Sequence, residues 1–117
     1  MDTQEIKGED YIVKYDPTSE TVTFIGELSL SGPSEYEPIT NLLNEVAKNN
    51  PETMTINLKE LSFLNSSGIS MLSKFVMFLR KQKTTQLIVL GSKYQPWQGK
   101  SLQNLVRLLN TLKLEIS

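Results

Sequence analysis

The stretch 58–69 reads LKELSFLNSSGI, and a strand pattern meets a helix pattern within it. Its first part continues an alternating run, because Met54, Ile56 and Leu58 fall on one side of a strand. Its last part opens a helix, since apolar residues recur at helical spacing after Ser66. The stretch therefore predicts a strand that passes through a short loop into a helix. In open α/β sheets such a loop, at the carboxyl end of a strand, is where ligands and partners commonly dock.

The same two periodicities extend in both directions from this stretch. Strands are predicted at 11–15, 21–25, 53–58, 87–90 and 112–116, and helices at 39–46, 66–81 and 102–109. The order β-β-α-β-α-β-α-β calls for right-handed crossovers between parallel strands. Threonines on one face of the second and third strands indicate that helices cover chiefly one side. We therefore expect an α/β fold with a single-layer, mixed, mostly parallel sheet of about five strands and helices chiefly on one face.

The composition favours one globular domain. A chain of 117 residues suits a single hydrophobic core, and 38% hydrophobic against 21% charged residues is enough apolar surface to fold. We expect 1–117 to be one domain, with 1–10 a less ordered N-terminal segment. That segment lacks the apolar run of a signal peptide, and no later stretch approaches the length of a membrane span. The expected location is the cytoplasm, with no membrane partner.

The absent residue types exclude several classes of chemistry. The chain has no cysteine and no histidine, which removes thiol catalysis, disulfides, Cys/His metal sites and a Ser-His-Asp triad. Lys+Arg 12 against Asp+Glu 13 leaves no basic excess for nucleic acid. The sequence also has no Gly-rich phosphate loop and no closely spaced pair of catalytic carboxylates. We therefore expect no enzyme, no catalytic residue, no metal and no cofactor.

Two serines, Ser66 and Ser67, open the predicted second helix. A serine at this place can cap the free N–H groups of the first helical turn. The positive end of the helix dipole also tolerates a phosphate there. Local chemistry therefore leaves two interpretations open, a structural cap and a site of phosphorylation.

The run Asn65-Ser66-Ser67-Gly68-Ile69, preceded by Leu-x-x-Leu-Ser-Phe, resembles the central motif of STAS-domain proteins, in particular the bacterial anti-sigma-factor antagonists. In that family the motif reads Asp-Ser-Ser/Thr-Gly-Leu/Ile. The serine after the aspartate is phosphorylated by a cognate anti-sigma factor that is also a serine kinase. The resemblance implies that Ser66 is the phosphoacceptor, and that the partners are an anti-sigma factor or serine kinase and a phosphatase.

The resemblance extends over nearly the whole chain, because the order of strands and helices also matches. Gly26-Glu27-Leu28 is similar to the family's Gly-Glu-Leu-Asp turn, which makes Glu27 and Leu28 candidate partner contacts. The chain departs from the family at two positions. Ser29 stands in place of the aspartate of that turn, and Asn65 in place of the aspartate of the motif. Asn65 keeps the size and one acceptor but loses the negative charge.

A helical wheel of the second helix separates an apolar stripe from a strip of small residues. At about 100° per residue, Ser66, Ser70, Ser73 and Met77 fall together, opposite the apolar stripe. We call these four residues the serine strip. It is a candidate partner-docking surface, and the alternative is a solvated face with one methionine.

The sequence thus predicts a phosphorylation-controlled protein-interaction module, an anti-sigma-factor antagonist or a related regulator of a bacterial partner-switching system. A second interpretation takes Asn65 as a sign of lost phosphorylation. The chain would then be a STAS scaffold that binds constitutively or self-associates, for example as a homodimer. A third interpretation, a small nucleotide-binding protein or enzyme, requires that the chain alone bind ATP or GTP.

Overall fold

The computed structural model describes residues 2–117. Within them the chain forms six strands and three helices. In chain order these are β1 (Gln4–Lys7), β2 (Tyr11–Asp16), β3 (Thr21–Leu28), α1 (Gly32–Lys48), β4 (Thr53–Leu64), α2 (Ser66–Gln82), β5 (Gln86–Gly91), α3 (Gln98–Leu108) and β6 (Lys113–Ile116). Every strand and helix that the sequence predicts is present, several of them longer than expected.

The six strands form one sheet in the order β1-β2-β3-β4-β5-β6. The β1–β2 and β2–β3 pairs are antiparallel, and the other three pairs are parallel. Each parallel pair is connected through a helix, as a crossover between parallel strands requires. The prediction of an α/β fold with a mixed, mostly parallel sheet is confirmed.

The three helices cover one face of this sheet. Contacts run from α1 to α2 and from α2 to α3. The central strands bury alternate side chains, such as Val22 and Phe24 of β3, or Met54 and Ile56 of β4. The threonines between them are only half-buried, because none of the three helices formed by residues 2–117 packs on that face. The expected coverage of one face is therefore also correct.

The sheet has one strand more than the sequence predicts. β1 pairs with β2 at the edge, with Ile6 opposite Val13. Ile6 is half-buried and the other three residues of β1 are exposed. Such a short, polar edge strand lacks the apolar alternation by which a strand is recognised in a sequence. Residues 4–7 thus form a strand within the segment for which the sequence predicts less order.

β4 is longer than predicted, and its extension leads directly to the motif. The strand continues past Leu58 to Leu64, and α2 begins at Ser66, so the predicted loop consists of Asn65 alone. Beyond Leu58 the buried residues are Leu61 and Leu64, three positions apart. This spacing arises because the register between β3 and β4 shifts twice. A spacing of three is not the period of a strand, which explains why the sequence predicts that the strand ends at Leu58.

β3 also continues beyond its predicted end at Ile25, through Gly26, as far as Leu28. Gly26 has a φ of +97°, and a Cβ atom there would overlap the backbone oxygen of Asp10. The N–H of Glu27 donates to that same oxygen at 2.9 Å. Glycine therefore allows β3 to pass close to the β1–β2 turn without ending.

A buried side chain from α3 supports the irregular part of β4. Gln98 is fully buried, and its Nε2 donates to the carbonyl oxygens of Leu58 and Leu61 at 2.6 and 3.2 Å. Its Oε1 accepts from the N–H of Ser92 at 2.8 Å. The β4–β5 register ends at Asn57, so carbonyl groups beyond it need partners from elsewhere. Gln98 supplies them and joins β4 to the β5–α3 connection.

The turn between β2 and β3 is closed by a side-chain hydrogen bond. The hydroxyl of Tyr15 donates to Glu20 Oε2 at 2.6 Å, and Tyr15 is only 2% exposed. Burial, then the hydrogen bond with Glu20 and its negative charge, raises the pKa of Tyr15 from 10.0 to about 12. Folding therefore favours the neutral form of the Tyr15 phenol.

This shift predicts a loss of stability at alkaline pH. Because the folded pKa lies above the unfolded one, the contribution of Tyr15 is complete below pH 10.0 and is lost as the pH rises through about 12. Urea unfolding across that range should show Tyr15→Phe losing less stability than the parent chain. Tyr94→Phe, at an exposed tyrosine, should follow the parent. If the free energy of unfolding fell equally with pH in all three proteins, the raised pKa of Tyr15 would be contradicted.

Candidate functional site

Ser66 is the first residue of α2, and its side chain is exposed. The N-cap of the helix is Asn65, whose Oδ1 accepts from the N–H of Gly68 at 3.0 Å. Asn65 has the extended backbone of a cap (φ −77°, ψ 174°), whereas Ser66 and Ser67 already lie in the first turn. The interpretation that Ser66 or Ser67 caps the helix is therefore wrong. The Ser66 hydroxyl has no capping role.

Asn65 joins three segments around the first turn of α2. Its Oδ1 also accepts from the hydroxyl of Tyr36 in α1, at 2.6 Å. Its Nδ2 donates to the carbonyl oxygen of Leu30 in the β3–α1 loop, at 2.8 Å. Its backbone N–H donates to the carbonyl oxygen of Leu28 at 3.1 Å. We call Asn65, Tyr36, Leu30 and Gly68 the Asn65 network, which fixes α1, α2 and the intervening loop relative to one another.

The network gives a structural reason for an asparagine at this position. The side-chain amide uses both its acceptor and its donor. An aspartate would keep the contacts with Tyr36 and Gly68, but a carboxylate oxygen would then face the carbonyl oxygen of Leu30 with no hydrogen to donate. Asn65 therefore has an explanation that does not depend on whether Ser66 is modified.

Tyr36 and Gly68 bring α1 and α2 close together beneath the motif. Tyr36 is fully buried, and this burial raises the pKa of its phenol, which keeps the hydroxyl neutral and able to donate. A Cβ atom at Gly68 would lie 2.7 Å from that hydroxyl and would overlap the side chain of Leu64. The glycine of the motif is therefore required by the close approach of α2 to α1 and β4.

The other predicted residues of α2 lie in different environments. Ser67 and Ile69 are half-buried, and Ser70 is exposed. Ser73 is half-buried, and its hydroxyl donates to the carbonyl oxygen of Ile69 at 3.0 Å. Met77 is 37% exposed. The serine strip is therefore largely open to solvent, although the hydroxyl of Ser73 is already used within the helix.

A cleft of about 510 Å³ lies between the first three turns of α1 and those of α2. Of the serine strip, only Ser70 lines this cleft. The other lining residues of α2 are Ser67, Met71 and Lys74, and those of α1 are Pro33, Tyr36, Glu37, Thr40 and Asn41. A partner that enters the cleft would therefore contact Ser67 and Ser70 rather than Ser73 and Met77.

The two contacts predicted at the end of β3 separate in the structure. Glu27 is exposed, and its register partner in β4 is Phe63. Leu28 is fully buried, because successive side chains of a strand point to opposite faces. Its side chain offers no surface to a partner, so the prediction for Leu28 is corrected. Its carbonyl group instead receives the backbone N–H of Asn65.

The sequence patterns reveal neither the burial of Tyr36 nor the exposure of Phe63. Tyr36 lies three residues before Ile39 and extends the apolar stripe of α1 at helical spacing. Pro38 concealed this continuity, since proline usually interrupts a helix, yet α1 runs through it. Phe63 is 45% exposed, and no sequence pattern distinguishes such a residue from a buried aromatic in a strand.

Within residues 2–117 no group of three or more acidic side chains is arranged to hold a metal ion. In the same residues, no helix combines the length and the apolar character that crossing a membrane requires.

Comparison with known proteins gives structural neighbours only. The sequence matches no family model and no curated protein. The crystal structure of apo-SiaC from Pseudomonas aeruginosa superposes with a TM-score of 0.75 at 14% identity, covering 100% of this chain and 99% of that chain. SiaC in complex with the diguanylate cyclase SiaD, whose activator it is, gives 0.74 at 10% identity, covering 97% and 99%.

A third neighbour is an anti-sigma factor antagonist from Mycobacterium paratuberculosis, with a TM-score of 0.61 at 18% identity, covering 97% of this chain and 83% of that chain. These TM-scores establish a common fold. The architecture agrees with the resemblance carried by the motif around Ser66. The chain has a STAS-like fold, shared with SiaC and with an anti-sigma factor antagonist.

Proposed function

We propose that the chain is a regulatory protein-interaction module whose binding is controlled by phosphorylation of Ser66. One observation carries the proposal: Ser66 is exposed at the first position of α2, while Asn65 supplies the helix cap. A kinase can therefore reach the hydroxyl without disturbing the cap. The fold adds support, since SiaC is named as the activator of a partner enzyme and the mycobacterial neighbour as an antagonist of an anti-sigma factor.

The physical basis of the switch is charge. A phosphate on Ser66 would add about -1.5 to -2 charges at pH 7. The N–H groups and dipole at the start of α2 offset part of this charge, so the fold tolerates it. A partner that covers Ser66 must desolvate the phosphate, and without a matching cation it binds less tightly. The chain is the substrate in this scheme and needs no catalytic base of its own.

The proposed docking surface is the serine strip together with Glu27. The proposed partners are an anti-sigma factor with serine kinase activity and a phosphatase that reverses the modification. The likeness to SiaC adds a second class of partner, a signalling enzyme such as a diguanylate cyclase.

Phosphorylation is tested by incubating the chain with ATP and a serine kinase of the anti-sigma type, followed by mass mapping. We expect one phosphate, on Ser66. It should disappear in Ser66→Ala and persist in Ser70→Ala, which removes an exposed serine one turn along the same helix. If a kinase that modifies another antagonist leaves this chain unmodified, or modifies a different residue, the switch is excluded.

The effect of charge on binding is tested with Ser66→Asp. For a phosphorylation switch, this substitution should weaken partner binding by about tenfold or more, measured by calorimetry, because an uncompensated charge is buried at the interface. Ser66→Asn introduces a side chain of nearly the same size as aspartate but without the charge. This variant should bind almost as the parent does. A constitutive scaffold would instead bind equally well with either substitution.

A further inference from the structure

Phe63 is an exposed aromatic side chain close to the motif. It is 45% exposed and lies three residues before Ser66 in the chain. It lines a surface pocket of about 620 Å³. The other lining residues come from the β1–β2 turn, the end of β3 and the loop after it, and they are Gly8, Glu9, Asp10, Tyr11, Glu27, Ser29 and Leu30. An aromatic side chain on a concave surface is a typical anchor for a binding partner.

The charges around Phe63 restrict the chemistry of that partner. Three of the lining residues, Glu9, Asp10 and Glu27, have exposed carboxylates, and none of the eight is a lysine or arginine. An acidic segment would be repelled here, and a neutral one would leave the carboxylates without partners. A guanidinium group satisfies both features at once, since it stacks on an aromatic ring and forms paired hydrogen bonds with a carboxylate.

The walls of this pocket are held in place before any partner binds. The N–H of Glu27 donates to the carbonyl oxygen of Asp10 at 2.9 Å, and the N–H of Gly8 donates to that of Tyr11 at 3.0 Å. The Tyr11 ring packs directly over Gly8, where a Cβ atom would overlap it. Leu30 is held by the Asn65 network. A prearranged surface loses less conformational entropy on binding than a flexible one.

We propose that this pocket binds an arginine-bearing segment of a partner protein, with the guanidinium stacked on Phe63 and paired with Glu27. An apolar residue next to the arginine would cover the remaining exposed surface of the Phe63 ring. None of the four serine-strip residues lines this pocket, and the contact does not require phosphorylation of Ser66. It therefore identifies the partner segment by its chemistry, independently of the proposed switch.

The test uses a short peptide as the probe, with two arginines flanking a leucine and both ends blocked. Titrated into the isotope-labelled chain, it should produce saturable NMR shifts at the amides of Glu9, Asp10, Glu27 and Phe63. A peptide with serines in place of the arginines should produce no such shifts. Shifts spread evenly over the acidic residues of the whole surface, or absent at millimolar peptide, would overturn the proposal.

Variants then separate specific docking from general attraction. Phe63→Ala and Glu27→Gln should each weaken binding of the arginine peptide by roughly threefold or more. The matched controls are Tyr94→Ala, at another exposed aromatic, and Glu52→Gln, at an exposed glutamate that does not line the pocket. Both controls should bind as the parent does. If Phe63→Ala binds the peptide as tightly as Tyr94→Ala, the pocket is not the docking site, whatever the result of the kinase experiment.

Discussion

Replacing Asn65 by alanine is expected to lower the free energy of unfolding by about 2 to 4 kcal/mol. The helix loses its cap, which contributes about 1 kcal/mol. The hydroxyl of Tyr36 is left buried without its acceptor, a further loss of about 1 to 3 kcal/mol. The carbonyl group of Leu30 also loses its donor. The effect is large because a single side chain serves three segments.

Urea unfolding of three variants measures this loss and separates the contribution of the hydrogen bond to Leu30 from the rest. Asn104→Ala removes an exposed asparagine of α3 and should change stability by less than about 0.5 kcal/mol. Asn65→Asp keeps the contacts with Tyr36 and Gly68 but not the donor to Leu30, so it should lie between the parent and Asn65→Ala. A stability of Asn65→Ala equal to that of Asn104→Ala would show that the network contributes nothing.

Gln98→Leu is expected to destabilise the chain by about 2 to 6 kcal/mol. Leucine has a similar volume but cannot form any of the three hydrogen bonds of Gln98. The carbonyl group of Leu58 and the N–H of Ser92 then lose their side-chain partner, at a cost of about 1 to 3 kcal/mol each. Leu61 is less affected, because its carbonyl oxygen also accepts from Trp97 Nε1 at 2.9 Å.

The matched control for this substitution is Gln103→Leu. Gln103 lies in the same helix and is exposed, so its replacement should change the free energy of unfolding by less than about 0.5 kcal/mol. Unfolding curves for the two variants should therefore separate clearly along the urea axis. Coinciding curves would mean that Gln98 does not support β4.

The regular elements could be predicted because their side chains follow a single period. Met54, Ile56 and Leu58 alternate, as in a strand buried on one face. The predicted bounds are wrong where a local irregularity interrupts the period of an element. In the second half of β4 a register shift places Leu61 and Leu64 three residues apart, and Pro38 lies within α1 without ending it.

The candidate site could be predicted only in part from the sequence, for a different reason. The exposure of Ser66 and Ser70 follows from helical periodicity, which is a property of consecutive residues. The contact of Asn65 with Tyr36 joins residues 29 positions apart, so it depends on the packing of α1 against α2. The similarity of the turn around Leu28 to a family pattern likewise did not reveal that its side chain points into the core.

The strand order has a consequence for how the protein is made. Every strand lies beside the one that precedes it in the chain, so no strand must insert between two earlier ones. During synthesis on the ribosome, each new strand meets a neighbour that has already emerged. The sheet can grow from its N-terminal edge, and β5 and β6 complete it after β4 has paired with β3.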